Sequence, residues 1–279
     1  MTVTDPAAAA EAARAAAEHS RRAGERLRLA TATTNLVQAL LQLGDWDAAD
    51  EALAQAIDSE GLADIELIPC YQGWLAALRG DAGTAESTLA ALPNLRASED
   101  PYDKALISVV EAFAAAARHQ PERALRLARA TLAYAGTLGI SSDCPRWAWP
   151  LAARMAHDLG DTTAAGDLLT LLDDCPPGHL APVLKAERDL VRARLASHDG
   201  DQAAAASFVS ATSSLRKLST PYHLAHGLLD HTKYLTRLGD AEAADKAISE
   251  AREIAHHLRC QLLLDRAADL APAQPRIQA

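Results

Sequence analysis

Aromatic residues make up only 4% of this chain of 279, and alanine carries much of its apolar content. Such a composition gives little material for a β-sheet and suits helices packed closely through small side chains. Paired cysteines are missing as well. Cys70, Cys144, Cys175 and Cys260 stand apart with no C-x-x-C spacing, which excludes the usual zinc and dithiol patterns and leaves reduced, partly buried thiols as the expectation. No apolar run approaches the roughly 18 residues of a membrane span, and no charged-then-apolar leader opens the chain. A cytoplasmic protein is expected. Positive charge is in deficit: 27 Lys and Arg against 37 Asp and Glu leave a formal charge of −10, so direct contact with nucleic acid is not expected. The local cluster Arg21, Arg22, Arg26 and Arg28 reads either as a small basic patch or as a solvated helix end. There is no G-x-x-x-x-G-K-[ST] loop, no nucleophile elbow and no supported pair of carboxylates. A non-catalytic chain without cofactor is expected.

What the chain does have is a short stretch that returns six times. Its clearest copy is Leu238-Gly239-Asp240-Ala241-Glu242-Ala243-Ala244, and related turns stand at Gly44-Asp45, Gly80-Asp81, His119-Gln120, Gly160-Asp161 and Gly200-Asp201. The turn recurs every 36 to 41 residues, and the position five after it is always alanine: Ala49, Ala85, Ala124, Ala165, Ala205 and Ala244. Six small residues at one offset predict a close helix contact where no larger side chain fits. A helix-turn-helix unit at this period predicts an all-α solenoid, because a single unit cannot bury its apolar face without its neighbours.

Taken in order, residues 1–24 predict a capping helix that starts after Asp5-Pro6 and ends at Gly24. It reads as half a repeat, either a native cap or the edge of a fragment of a longer protein. Residues 25–259 predict six helix pairs, starting from the apolar stripe Leu29, Leu36, Leu40, Leu43 and a return helix from Trp46 to about Ser59. Pair two spans about Ala63 to Arg79, with a kink or late start at Pro69, and Ala82 to Leu92, stopped by Pro93. Pair three spans Tyr102 to Arg118 and Pro121 to Leu138. A linker follows over Gly139–Pro145. Pair four spans Arg146 to Leu159 and Thr162 to Asp173, pair five Ala181 to Ser197 and Asp201 to Leu218, and pair six Thr220 to Leu238 and Ala241 to Leu258. Residues 260–271 predict a helix covering the exposed end of the stack, and 272–279 a disordered tail.

The turn-plus-alanine pattern resembles the tetratricopeptide repeat. Four residues after each repeat alanine stand Leu53, Leu89, Ala128, Leu169, Val209 and Ile248, and the first-helix small position falls at Val37, Gly73, Ala112, Ala153, Ala193 and Thr232. Val37, Thr232 and the His119-Gln120 turn depart from the family pattern. The resemblance implies a right-handed α-solenoid of about six helix pairs with end-capping helices. The last pair, with Ala251-Arg252-Glu253-Ile254-Ala255 and Leu262-Leu263-Leu264-Asp265-Arg266-Ala267, is similar to the C-terminal end of large bacterial regulators. In those an ATPase module precedes such an array, often with a LuxR-type DNA-binding module.

Tetratricopeptide arrays usually bind on the concave surface of their first helices. Carried over by register, the resemblance implies a groove lined by Cys70, Trp74, Leu78, Val109, Phe113 and Trp147 on an apolar half. Its ionic half would hold Arg154, His157, Asp158, Glu187, Arg194, His198, His226, Lys233 and Arg237. Such a groove suits a protein or peptide partner, or a small anionic or amphipathic ligand, with arginine seeking carboxylate or phosphate. Replacing Trp74 and Arg154 by alanine is then expected to abolish binding and leave helical content unchanged. The other reading of Trp74, Phe113 and Trp147 is core, with the ions as solvated rim. His223, His226 and Asp230 share one helical face, but without the usual metal spacings no metal is assigned. Asp158 beside His157 is a sequence neighbour only. Two functions follow: a sensor domain of a cytoplasmic transcriptional or signalling regulator, or a free-standing scaffold that holds partners or self-associates as a homodimer. An enzyme with an unrecognised site is the third.

Overall fold

A computed structural model describes residues 5–62, 64–198 and 204–270, with the side chains of residues 59, 60 and 198 left aside. Among the described residues there are sixteen helices and no strand. None of these helices is long and apolar enough to cross a membrane.

The recurring turn has a simple physical origin. Helix α2 (Arg26–Leu43) ends at Gly44 in the left-handed conformation, φ 79°, and α3 (Trp46–Glu60) begins two residues later. A left-handed residue closes a helix C-terminus at little cost only when it lacks a Cβ. The aspartate that follows starts the next helix. Asp81, Asp161 and Asp240 each accept a hydrogen bond from the backbone N–H three residues on, at 2.9, 2.9 and 3.1 Å, satisfying a donor the helix cannot. In the third turn His119 takes the left-handed position itself, φ 55°. The turn at Gly200-Asp201 lies outside the described residues.

Helix α1 (Pro6–Ala23) is capped by Asp5 and closed by Gly24, as its sequence predicts. Helix α4 (Leu67–Arg79) starts late, so that Pro69 sits in its first turn, where no N–H is needed; Ala63 lies outside the described residues. After α5 (Ala82–Ala90), Pro93 does not stop the pair but opens the short α6 (Pro93–Ala97). Glu66 holds that helix start by accepting from the backbone N–H groups of Asn94 and Leu95, at 3.1 and 2.6 Å. Helices α7 (Pro101–Ala117) and α8 (Pro121–Leu132) form pair three; the expected run to Leu138 breaks, leaving α9 (Ala135–Leu138) as a separate turn. The linker is shorter than expected because α10 (Asp143–Asp158) already includes Pro145 in its first turn. It also carries Pro150 inside, which has no N–H to offer Arg146. Helices α11 (Thr162–Asp173), α12 (Pro182–His198), α13 (Ala204–Lys217), α14 (Pro221–Leu238) and α15 (Ala241–Leu258) complete the pairs, and α16 (Gln261–Asp269) follows. The segment expected as a disordered tail lies outside the described residues.

The repeat alanines sit where the helices meet. Ala49, Ala85, Ala124, Ala165 and Ala244 are buried, while Ala205 is half-buried. A Cβ on Gly73 would touch Thr88 at 3.4 Å and the Ala85 carbonyl at 3.6 Å, so α4 and α5 are already in contact there.

The expected end cap does something else. Helix α16 packs on α14 and α15 and also reaches α4, and α14 reaches α2. The array therefore closes on itself. Gly44 and Gly80, turn residues of the first two pairs, face this seam: a Cβ on Gly44 would lie 2.7 Å from Pro221 Cγ, and one on Gly80 3.3 Å from Gln261 Cβ. The equivalent Gly160 and Gly239 meet nothing within 4 Å. Trp46 stacks on Tyr222 with centroids 5.6 Å apart, Cys260 Sγ donates to the Leu78 carbonyl at 3.1 Å, and Asp47 pairs with both Arg79 and Arg259 at 2.7 Å.

Candidate functional site

Closure decides the fate of the expected groove. Its apolar half is core: Cys70, Trp74, Leu78, Val109, Phe113 and Trp147 are each 2% exposed or less. Trp74, Phe113 and Trp147 form a ring cluster with centroids 6.1 to 6.5 Å apart, and Tyr222 covers Trp147 from the far side at 5.6 Å. These side chains cannot serve as an open wall, because the last pair and α16 occupy the space a ligand would take. The core reading of Trp74, Phe113 and Trp147 is the one the geometry fits.

The ionic half divides into a buried network and a rim. Arg154, Glu187, Arg194, His223, His226 and Asp230 are 8% exposed or less. Glu187 Oε1 lies 2.7 Å from His223 Nδ1 and 3.5 Å from Arg154 Nη1, and the Arg154 guanidinium sits over the Tyr222 ring, 5.7 Å from its centroid. Asp230 accepts from Arg194 Nε at 2.6 Å through one oxygen and from Arg266 of α16 through the other. Arg266 Nη1 donates to His226 Nδ1 at 2.9 Å; since arginine can only donate, that nitrogen carries the lone pair and the ring is neutral. Of the three residues that share a face, His223 thus turns to Glu187, while His226 and Asp230 both meet Arg266. Among the described residues no three potential ligands gather as a metal group.

Titration follows from these contacts. Burial pushes Asp230 up, but the charges of Arg194 and Arg266 outweigh it and hold the carboxyl down at about 2. Glu187 is likewise raised by burial and brought below its ordinary value by the His223 hydrogen bond and by Arg154 and Arg194. Burial, then Arg154 and Arg266, drive His226 well below the usual histidine value.

The network is not fully paired. Two buried guanidinium groups, Arg154 and Arg194, and the half-buried Arg266 face two carboxylates. Arg194 Nη1 and Arg154 Nη2 have no hydrogen-bond partner. An unpaired buried donor is costly, and a charged one more so. Arg194 lines a cavity of about 470 Å³ between α10, α12 and α14, together with His157 and Lys233. Its other walls are short side chains, apolar at Ala153, Ala156, Ala165, Val191 and Leu195 and polar at Asp161 and Thr162; the Asp161 carboxylate is engaged by the Ala164 N–H at 2.9 Å. A smaller recess of about 80 Å³ shares His157, Arg194 and Lys233 and extends to Asp230 and Arg237.

Of the remaining rim residues, His157 is half-buried and is lowered by burial and by Arg194. Lys233, Arg237 and Asp158 are exposed, Arg237 donating to the Ser197 carbonyl at 3.2 Å. The side chain of His198 lies outside the described residues. The structure thus brings His157, Arg194, Lys233 and Arg237 to one opening, and sets Arg154, Glu187 and His226 behind it. In a chain of charge −10, this opening concentrates cations and offers an anion unspent donors.

Arg266, Asp230 and Tyr222 were missing from the groove read by register. Their signal was present in the period: Glu187 to His223, Arg194 to Asp230 and Asp230 to Arg266 are each 36 residues apart, one repeat, which makes them neighbours on successive helices. No family model, curated protein or solved structure matches the chain.

Proposed function

We propose that the chain is a non-catalytic, ligand-binding domain of the tetratricopeptide-like kind, a right-handed solenoid of about six pairs that serves a cytoplasmic transcriptional or signalling regulator. The ligand is a small molecule carrying a carboxylate or phosphate on a short apolar body. The observation that carries this reading is Arg194: nearly fully buried, with Nη1 unpartnered, on a cavity that also presents Lys233 and His157. Guanidinium forks favour carboxylate and phosphate oxygens, and the cavity volume falls in the range of roughly 300 to 1,000 Å³ usual for small-molecule sites.

Occupancy has a physical route to the rest of the array. Asp230 is shared between Arg194 of α12 and Arg266 of α16. An anion on Arg194 competes for its guanidinium and leaves Asp230 to Arg266, changing the balance at the helix that closes the seam. A ligand can shift a conformation only by binding its two states unequally, and this shared carboxylate supplies the difference.

Native mass spectrometry of the purified chain, followed by calorimetry with short-chain carboxylates and phosphate monoesters, tests the reading. Binding of a member of either series, weakened about tenfold in Lys233→Gln and more in Arg194→Gln, supports it. A bare dimer that takes up no anion would replace it with the self-associating scaffold. Unchanged affinity in both variants would also overturn it.

A further inference from the structure

A second cavity, about 600 Å³, lies between α1, α2, α7 and the start of α10 and shares no residue with the ionic opening. One wall is a face of α1: Ala9, Ala12, Ala13 and Ala16 recur at the helical spacing of three and four residues, and none reaches far into the space. Facing them are polar groups from successive first helices, Gln38 of α2, Tyr102 of α7, and Asp143 and Arg146 of α10.

Two opposite charges stand on that wall, close enough to feel each other's field, with no direct ion pair between them among the described residues. Asp143 gathers three donors onto one oxygen: Oδ2 accepts from Gln38 Nε2 at 2.6 Å, Tyr102 Oη at 2.9 Å and Tyr71 Oη at 3.1 Å. Its Oδ1 takes no hydrogen bond among the described residues. Arg146 is 3% exposed, its Nε has no partner, and its Nη1 makes one long bond, 3.4 Å, to the Ser141 carbonyl. Arg146 is a turn on from Asp143 along α10, on the same side of the helix, yet no ion pair joins them among the described residues. A buried guanidinium left in this state is costly unless a ligand completes it.

We infer that this cavity is a site for a free α-amino acid, with the ammonium group on Asp143 Oδ1, the carboxylate on the Arg146 guanidinium, and the side chain along the alanine face of α1. The two charges of an α-amino acid are carried one carbon apart, which matches a carboxylate and a guanidinium one helical turn apart. Neither a simple anion nor a simple amine uses both. The alanine wall sets no polar requirement on the side chain, so aliphatic amino acids fit best.

Calorimetry of the intact chain against the twenty common L-amino acids tests this, with the N-acetyl and carboxamide forms of any binder as controls. The expected result is binding of an aliphatic amino acid that falls at least about tenfold when either charge is blocked. Ala12→Leu narrows the cavity from an exposed position of α1 without touching the polar wall; it should weaken binding about tenfold at an unchanged melting temperature. Asp143→Asn, which keeps the acceptor for Gln38 and both tyrosines, should do the same. Lys233→Gln should leave amino-acid affinity unaltered, which separates this site from the ionic opening. Equal affinity for the blocked forms, normal binding by Ala12→Leu, loss of binding in Lys233→Gln, or no binding at millimolar concentration would each overturn the assignment.

Discussion

Trp46, at the start of α3, and Tyr222, at the start of α14, hold their rings 5.6 Å apart at a 39° tilt, and so join the first helix pair to the last. Trp46 is fixed by its own indole N–H, which donates to the Leu41 carbonyl at 3.0 Å, and Tyr222 also packs on Trp147 and under Arg154. Removing a buried aromatic ring costs about 3–5 kcal/mol. Tyr222→Ala should lose stability of that order in urea unfolding. It should also enlarge the particle in small-angle scattering, because the seam loses its central contact; an unchanged radius of gyration would show that the array stays closed without it.

The turn glycines should respond unequally to the same substitution. Alanine at either Gly44 or Gly239 meets the left-handed backbone, φ 79° and 78°, at a cost of roughly 1–2 kcal/mol. Only at Gly44 does the new methyl also run into Pro221 and Leu258. Gly44→Ala is therefore expected to be the more destabilising of the two by at least about 1 kcal/mol, read as a difference in denaturation midpoints at equal slope.

Acid should weaken the fold in two separate steps. His226 sits well below its ordinary value while the unfolded ring titrates near roughly 6.5. The unfolded chain thus takes the proton first, and stability falls as pH drops below about 6.5, with His157 and His231 shifted in the same direction. Asp230 titrates at about 2 when folded against roughly 3.9 unfolded. Its contribution is complete above pH ~4 and disappears between there and about 2. Unfolding free energies measured from pH 7 to 3 should show His226→Gln flattening the upper part of the profile and Asp230→Asn the lower; identical profiles would contradict the assignment.

Trp74 and Arg154 should now report on stability and not on affinity. Both are 4% exposed or less. Trp74→Ala leaves a void in the ring cluster, and Arg154→Ala strips a buried carboxylate of a neighbouring charge, each at a cost of about 3–5 kcal/mol. Thermal melts that stay within a few degrees of the parent chain would return these side chains to a solvent-facing wall.

Much of the fold was legible because its determinants are local. Glycine at the left-handed position and aspartate at the next helix start act within a few residues of each other, so Gly239-Asp240 announces its hairpin wherever it stands. Pro93 shows the limit of local reading. The same residue can end a helix or begin one, and it begins one here because the Glu66 carboxylate waits for the Asn94 and Leu95 N–H groups. The site was legible by register but not by exposure. Register put Trp74 and Arg154 on one face, and both are buried; whether such a face is open depends on how far the pairs turn per repeat, and no short stretch of sequence encodes that angle. Arg266 stands one period from its partner Asp230 on the neighbouring α14, a pairing that the spacing carries and no local motif marks.

A linear stack of repeats has two loose ends, and its terminal units come apart before its middle. Here the last pair rests on the first, so separating any one neighbouring pair still leaves the others bridged through Trp46, Tyr222 and Cys260. Amide protons in α4 and α14 should consequently exchange at similar rates, as in a hoop that must be broken twice before any part of it can unwind.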